Sequence, residues 1–95
     1  VPYQQRARIT LDLTDGVQDS IARYGAYEPE VWDALSACAV GDDVVWDIGA
    51  NIGGVAIRAL LDGRVREVHA FEAHPLTCRI LAKNLRLNGG RSVVH

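Results

Sequence analysis

The chain has 95 residues, of which 48% are hydrophobic and 23% are charged. This length suits one small domain, and the composition is that of a globular protein, which excludes a disordered chain. No apolar run approaches the roughly 18 residues that a membrane-spanning helix needs. Ten basic and twelve acidic side chains give a net charge of −2, so we expect neither a nucleic-acid partner nor a membrane-surface partner.

The N-terminal residues 1–26 are predicted to contain a strand and a short helix. Ile9, Leu11 and Leu13 alternate with polar residues, which predicts a half-exposed strand over residues 6–13. A turn at Asp15-Gly16 follows, and apolar residues then recur at near-helical spacing up to Tyr24.

A regular alternation of helices and strands begins at Pro29. The first predicted helix runs from Pro29 towards Gly41 and carries one apolar stripe, Val31, Leu35, Cys38 and Ala39. The remaining predicted elements are a buried strand over 44–48, a helix over 53–61, a strand over 65–71, a helix from 75 to 88 and the start of a strand at 93–94. This order predicts an α/β protein with parallel strands and crossover helices, the first half of an open, doubly wound sheet.

Several side chains in these elements have plain structural interpretations. Trp32 and Trp46 are predicted to anchor the helix layer. His69 is predicted to be packed or hydrogen-bonded, and His74 is predicted to begin a helix before Pro75. Asn84 and Asn88 lie four residues apart on one helix face, and Asn88 is predicted to cap that helix.

The two cysteines, Cys38 and Cys78, are too few and too far apart in the sequence for a metal cluster or a redox pair. We therefore interpret them as buried thiols of a cytoplasmic protein.

The segment Asp47-Ile48-Gly49-Ala50-Asn51-Ile52-Gly53-Gly54 joins the first parallel strand to its helix, where open α/β sheets bind ligands. Gly49 permits a sharp turn, and Gly53 permits close approach of a ligand at the helix N-terminus. Glu72 ends the next strand, 19 residues after Gly53, and a carboxylate there can accept both hydroxyls of a ribose. A plain tight turn and a solvated strand-end carboxylate are the alternatives.

The residues of this loop favour a cationic nucleoside over a dinucleotide. A dinucleotide cofactor requires Gly-x-Gly-x-x-Gly, whereas Asn51 occupies the middle glycine position and Asp47 adds negative charge near the phosphates. S-adenosylmethionine has an ammonium group for Asp47 and a ribose for Glu72. No phosphate-binding Gly-x4-Gly-Lys-Ser/Thr motif occurs, which argues against a nucleotide triphosphatase.

Four segments together resemble the FkbM family of S-adenosylmethionine-dependent methyltransferases: residues 27–29 (Tyr-Glu-Pro), 41–53, 71–75 and 83–89. The resemblance implies the Rossmann-like class I methyltransferase fold and O-methylation of a small-molecule or sugar hydroxyl. We predict the corresponding partial domain over residues 27–95. The cofactor-binding residues predicted with it are Glu28, Asp47, Gly49, Ala50, Asn51, Gly53 and Glu72. The family's usual Phe-Glu-Pro appears here as Phe71-Glu72-Ala73, which keeps the carboxylate.

The role of Glu28 stays open between two interpretations. In the resemblance it lies beside the cofactor pocket and touches the methionine end of the ligand, whereas a carboxylate that stabilises a helix N-terminus fits equally well. No residue is predicted as the catalytic base that a hydroxyl acceptor requires, and no metal site is predicted.

Two other functions compete with the methyltransferase. One is an oxidoreductase domain that binds NAD on the same topology, and the other is an inactive remnant, because the predicted elements stop at the third strand of the fold. In the usual strand order 3-2-1-4-5, a chain without strand 4 leaves the apolar edge of residues 44–48 unpaired. We therefore expect the isolated chain to self-associate through this edge or to need a partner there.

Overall fold

The computed structural model of this chain describes residues 2–3, 7–10 and 29–95. Its strands and helices are β1 (Pro2–Tyr3), β2 (Ala7–Arg8), α1 (Pro29–Cys38), β3 (Asp43–Ile48), α2 (Gly54–Leu61), β4 (Val65–Phe71), α3 (Pro75–Asn88) and β5 (Ser92–Val94). Every element predicted after residue 29 is present at close to its predicted boundaries. In the described ranges, no helix is long and apolar enough to cross a membrane.

Three parallel strands form the central sheet in the order β3-β4-β5. Val45 is in register with Val68 and His69 with Val93, so each strand lies beside the one that follows it in the chain. α2 connects the first two strands and α3 connects the last two. The predicted α/β fold class is therefore confirmed.

The core lies between the sheet and the helices α2 and α3. Val68 and Ala70 of β4 are fully buried, whereas their neighbours in the strand are not, because successive side chains of a strand point to opposite faces. The buried apolar residues are Ala7, Ile9, Ala50, Ile52, Ala56, Ile57, Ala59, Val68, Ala70, Leu81 and Leu85. The N-terminal segment thus contributes to the same core as the parallel sheet.

The opposite face of the sheet is open in the described part of the chain. Val44, Trp46 and Ile48 of β3 are 41%, 69% and 70% exposed. The prediction that Trp46 anchors the helix layer is therefore wrong: its ring lies on the open face, 5.8 Å from the ring of Phe71. The prediction of a fully buried strand is also wrong, because the described helices cover only one of its faces.

Helix α1 packs through Trp32, which confirms the prediction for that residue, and not through its predicted apolar stripe. Trp32 packs against the core and lies 5.6 Å from the guanidinium carbon of Arg58 on α2. Val31 and Leu35 of the predicted stripe are 40% and 38% exposed, and Cys38 is also exposed. Cys78 is half-buried, so the prediction of two buried thiols is wrong.

The N-terminal residues that the structure describes form a small antiparallel pair. Pro2 is in register with Arg8, and Tyr3 with Ala7. Of the strand predicted over residues 6–13, the structure describes residues 7–10, in which Ala7 and Arg8 form strand and Ile9 is buried. The predicted helix that ends near Tyr24 lies outside the described residues, as does Glu28.

Candidate functional site

The loop between β3 and α2 lies at the carboxyl edge of the sheet, and left-handed backbone conformations shape it. Gly49, Asn51 and Gly53 have φ angles of +75°, +52° and +101°. Asparagine tolerates this region better than other non-glycine residues, which explains its presence between the two glycines. The chain can therefore reverse direction within a few residues of the strand end.

The two glycines have different surroundings. A Cβ atom on Gly53 would lie 3.1 Å from Cδ1 of the buried Leu81, so close packing against α3 requires glycine there. A Cβ atom on Gly49 would meet no atom within 4 Å. The predicted close approach at Gly53 is thus to α3, and the open space lies at Gly49.

Backbone amides of the loop are largely used within the protein. The N–H groups of Gly49 and Ala50 both donate to the carbonyl of Phe71, at 2.9 Å each. Gly53 donates to the carbonyl of Ala50 at 2.9 Å, and Asn51 donates to Oε1 of Glu72 at 3.0 Å. The amides that would have to cradle a pyrophosphate are therefore already engaged.

Glu72 ties the loop to the start of α3. Its Oε1 accepts from Asn51, and its Oε2 accepts from the N–H of His74 at 2.9 Å. An ionised carboxylate offers about four lone-pair sites, so each oxygen retains capacity for a further donor. The structure brings Glu72 into direct contact with the predicted loop, and the side chain is half-buried rather than fully solvated.

An open cavity of about 570 Å³ adjoins Gly49 and Glu72. Ile48, Phe71, Ala73 and His95 form the rest of its lining. The ring of His95 stacks on that of Phe71, with centroids 4.3 Å apart and planes 9° apart. The cavity therefore combines apolar and aromatic surfaces with one carboxylate, as small-molecule sites do.

Sequence reasoning missed four of the six lining residues, one of which is Ala73. Ile48, Phe71 and His95 are the last residues of β3 and β4 and the residue after β5. Their positions at the ends of adjacent parallel strands were the available signal, since those ends meet at one edge of the sheet.

The other predicted site residues that the structure describes do not line the cavity. Asp47 is half-buried on the strand face opposite Trp46, in register with Ala70. Ala50 is 5% exposed and belongs to the core. The cavity therefore assembles two of the seven predicted residues, Gly49 and Glu72, with Asn51 joined to Glu72 through its backbone.

The two histidines of the predicted elements have the structural partners expected of them. Nδ1 of His74 accepts from the N–H of Thr77 at 3.4 Å and caps α3, which confirms the prediction. His69 contacts Oε1 of Glu67 through Nε2 and Nε2 of His95 through Nδ1. The hydrogen bond to His69 lowers the pKa of the Glu67 carboxyl below its ordinary value.

A second groove, of about 220 Å³, lies between α1 and β3. Apolar side chains dominate its lining, and the carboxylate that reaches it, Asp43, accepts the N–H groups of Val40 and Gly41 at 3.0 Å each. Within the described ranges, no group of three or more His, Cys, Asp or Glu residues is placed to hold a metal ion. The chemistry therefore favours the cavity beside Glu72 as the candidate site.

The chain matches no protein-family model and no curated protein, but it is similar to several solved structures. A proposed RNA methyltransferase, PH1948 of Pyrococcus horikoshii, is 31% identical over 68% of this chain, with a TM-score of 0.57. TYW2 of M. jannaschii in complex with AdoMet is 20% identical over 96% of the chain, with a TM-score of 0.68. Precorrin 8W decarboxylase of Methanobacterium thermoautotrophicum is 24% identical over 92%, with a TM-score of 0.61.

This chain spans only part of those proteins, namely 32%, 39% and 44% of their respective lengths. The similarity to TYW2 and to the decarboxylase extends over nearly all of this chain. The described part of the chain therefore has the Rossmann-like fold of class I methyltransferases, represented by its first three parallel strands.

Proposed function

We propose that this chain supplies the S-adenosylmethionine-binding part of a methyltransferase. The observation that carries the proposal is the position of Glu72, which closes the loop through Asn51 and adjoins an open cavity of about 570 Å³. That volume lies within the range of about 300–1,000 Å³ typical of small-molecule sites. The complex of TYW2 with AdoMet supports this choice of ligand.

The residues of the site fit a nucleoside that carries no phosphate. The free lone pairs of Glu72 can accept the two hydroxyls of a ribose, while Phe71 and Ile48 supply an apolar wall for the base. The engaged amides of Gly49, Ala50 and Asn51 leave little for a pyrophosphate to bind. These contacts favour S-adenosylmethionine over NAD.

Methyl transfer needs alignment more than covalent catalysis by the protein. S-adenosylmethionine supplies an activated methyl group, whose C–S bond breaks as a nucleophile attacks the carbon in line. The chain's contribution is to hold the ribose at Glu72 and to direct the loop that starts at Gly49. Asp47, Ala50, Gly53 and Glu28 remain predicted cofactor-binding residues, the last of them outside the described part of the chain.

A small-molecule or sugar hydroxyl is the acceptor that we propose, on the resemblance to the FkbM family. A hydroxyl must lose its proton to a base during transfer, and the described residues around the cavity include no residue that we assign to that role. A cytoplasmic location suits the unpaired thiols of Cys38 and Cys78.

Calorimetric titration with S-adenosylhomocysteine, the product of the reaction, tests the cofactor assignment. We expect Glu72→Ala to weaken binding about 10-fold to 100-fold, because charge-assisted hydrogen bonds contribute about 1.5–3 kcal/mol. Glu30→Ala is the matched control: it removes an exposed carboxylate from the first turn of α1, and we expect unchanged affinity.

Two results of that titration contradict the proposal. One is equal affinity of the protein and its Glu72→Ala variant for S-adenosylhomocysteine, provided that thermal unfolding shows the variant to be folded. The other is a thermal shift with NAD and none with S-adenosylhomocysteine, which would favour the oxidoreductase instead.

A further inference from the structure

Two asparagines of α3 each bind the backbone N–H and carbonyl of one residue in the N-terminal segment, as the backbone of a neighbouring strand would. Oδ1 of Asn88 accepts from the N–H of Arg8 at 2.8 Å, and its Nδ2 donates to the carbonyl of Arg8 at 2.7 Å. Asn84 repeats this pair of bonds at Thr10, accepting from its N–H at 2.7 Å and donating to its carbonyl at 3.3 Å. Asn88 is therefore not the cap predicted for it, and Gly89 follows the helix in that position.

The spacing of the two asparagines explains why this arrangement fits. Residues four apart on a helix lie on one face about 6 Å apart along the axis. Residues two apart in a strand point the same way and lie about 6.6–6.8 Å apart. The amides of Asn84 and Asn88 can therefore serve Thr10 and Arg8 together, with the segment antiparallel to α3.

One further bond distinguishes the two asparagines. Nδ2 of Asn84 also donates to the carbonyl of Ile52, at 2.8 Å, and Ile52 lies inside the loop between Gly49 and Gly53. The third bond of Asn88 stays within its own helix, to the carbonyl of Asn84 at 2.7 Å. Asn84 is completely buried, so an unpaired polar atom at this position would be costly.

We infer that Asn84 is a positioning residue that joins the N-terminal segment to the cofactor loop. Its one amide holds both Thr10 and the carbonyl of Ile52, the residue directly after Asn51. Through this amide, the contact with Thr10 is coupled to the position of the loop that presents Asn51 to Glu72. The effect on cofactor binding rests on the proposed function, whereas the effect on the loop does not.

Amide hydrogen exchange in the absence of ligand tests the positioning role. We expect Asn84→Ala to speed exchange at the Asn51 and Gly53 amides about threefold to tenfold, because the loop loses a buried hydrogen bond. Asn88→Ala removes equivalent bonds to the same segment without touching the loop. In this variant, we expect the exchange rates of the Asn51 and Gly53 amides to stay within about twofold of those in the unmodified protein, once the rates are compared at equal free energy of unfolding.

The affinity for S-adenosylhomocysteine provides the second readout. We expect Asn84→Ala to weaken binding about threefold to tenfold and Asn88→Ala to leave it within about twofold. Equal changes in loop exchange for the two variants would overturn the positioning role, since a purely structural asparagine predicts equal changes. If the unmodified protein binds no S-adenosylhomocysteine, the proposed function fails while the exchange data still decide the role of Asn84.

A measurement on the unmodified protein covers the case in which Asn84→Ala does not fold. Coupling between two sites is reciprocal, so ligand bound at the loop must stabilise the contact of Asn84 with Thr10. We expect saturating S-adenosylhomocysteine to slow exchange of the Thr10 amide more than that of the Arg8 amide, which binds Asn88. Equal effects on the two amides would contradict the inference.

Discussion

Two residues of the β3–α2 loop, Asn51 and Gly53, must adopt a left-handed backbone conformation, and Gly53 must also pack closely against α3. Gly53 has a φ of +101° and sits against Leu81, while Asn51 has a φ of +52° and donates its N–H to Glu72. A left-handed conformation costs most residues about 1–2 kcal/mol. The conformation of the loop therefore depends on residues that adopt a positive φ at little cost at positions 51 and 53.

Gly53→Ala is expected to lower the free energy of unfolding by about 1–3 kcal/mol, from the unfavourable φ and the contact with Leu81. Gly63→Ala is the control, because a Cβ there meets nothing within 4 Å and its φ lies outside the left-handed region. We expect the control to change stability by less than about 1 kcal/mol. Urea unfolding measures both, and equal losses in the two variants would argue against the packing explanation.

Arg64, in the turn between α2 and β4, links Asp62 of that turn to Ser36 of α1, and we call these three residues the clasp. Arg64 donates to Asp62 Oδ2 at 2.8 Å, to the carbonyl of Ser36 at 3.1 Å and to Ser36 Oγ at 2.7 Å. Sequence reasoning identified Asp62 and Gly63 only as the end of a helix. The contact with α1 joins residues 28 positions apart, and local patterns carry no information about such pairs.

The clasp predicts a pH dependence of stability. Hydrogen bonds from Arg64 lower the pKa of Asp62 from 3.8 to about 2. A carboxyl with a depressed pKa stabilises the folded state above its unfolded pKa, and this contribution disappears as the pH falls through the folded pKa. Asp62→Asn should therefore cost about 0.2–1 kcal/mol at pH 6, because the pair is partly exposed to solvent.

That difference should shrink between about pH 4 and pH 2. Thermal unfolding of the protein and of Asp62→Asn across this range measures it. A constant difference down to pH 2 would mean that the Asp62 carboxylate is not the source of the stabilisation.

The whole molecule, as far as it is described, has one covered and one open face. β3 is an edge strand of the described sheet, and its exposed residues Val44, Trp46 and Ile48 form an apolar row on the open face. Exposed apolar edges pair readily with other chains. The predicted self-association of the 95-residue chain through this edge remains a proposal.

We expect the isolated chain to form dimers or larger species in multi-angle light scattering, and Trp46→Lys to shift it towards monomer. A charge on an edge strand opposes pairing, and Trp46 is exposed enough for the substitution to spare the core. Val40→Lys is the control, because Val40 is 88% exposed but precedes the strand. A monomeric unmodified chain, or equal effects of both substitutions, would contradict association through β3.

The candidate site was partly predictable. Glycine spacing after a β-branched strand and an acidic residue at the next strand end located Gly49, Asn51 and Glu72, because these signals are local in sequence. The aromatic contact of Phe71 with His95 and the bonds of Asn84 to Thr10 and Ile52 were not predictable. Each depends on which strands become neighbours and on how a helix lies across them.

The sequence by itself determined the order, type and approximate boundaries of the elements after residue 29, since apolar periodicity, proline and glycine act over a few residues. Only the tertiary structure decided which faces are covered. It placed Trp46 on the open face, left Val31 and Leu35 of α1 exposed and used Asn88 to bind Arg8. Burial is a property of contacts between distant segments, so the same apolar pattern is compatible with a covered or an open face until the neighbours are known.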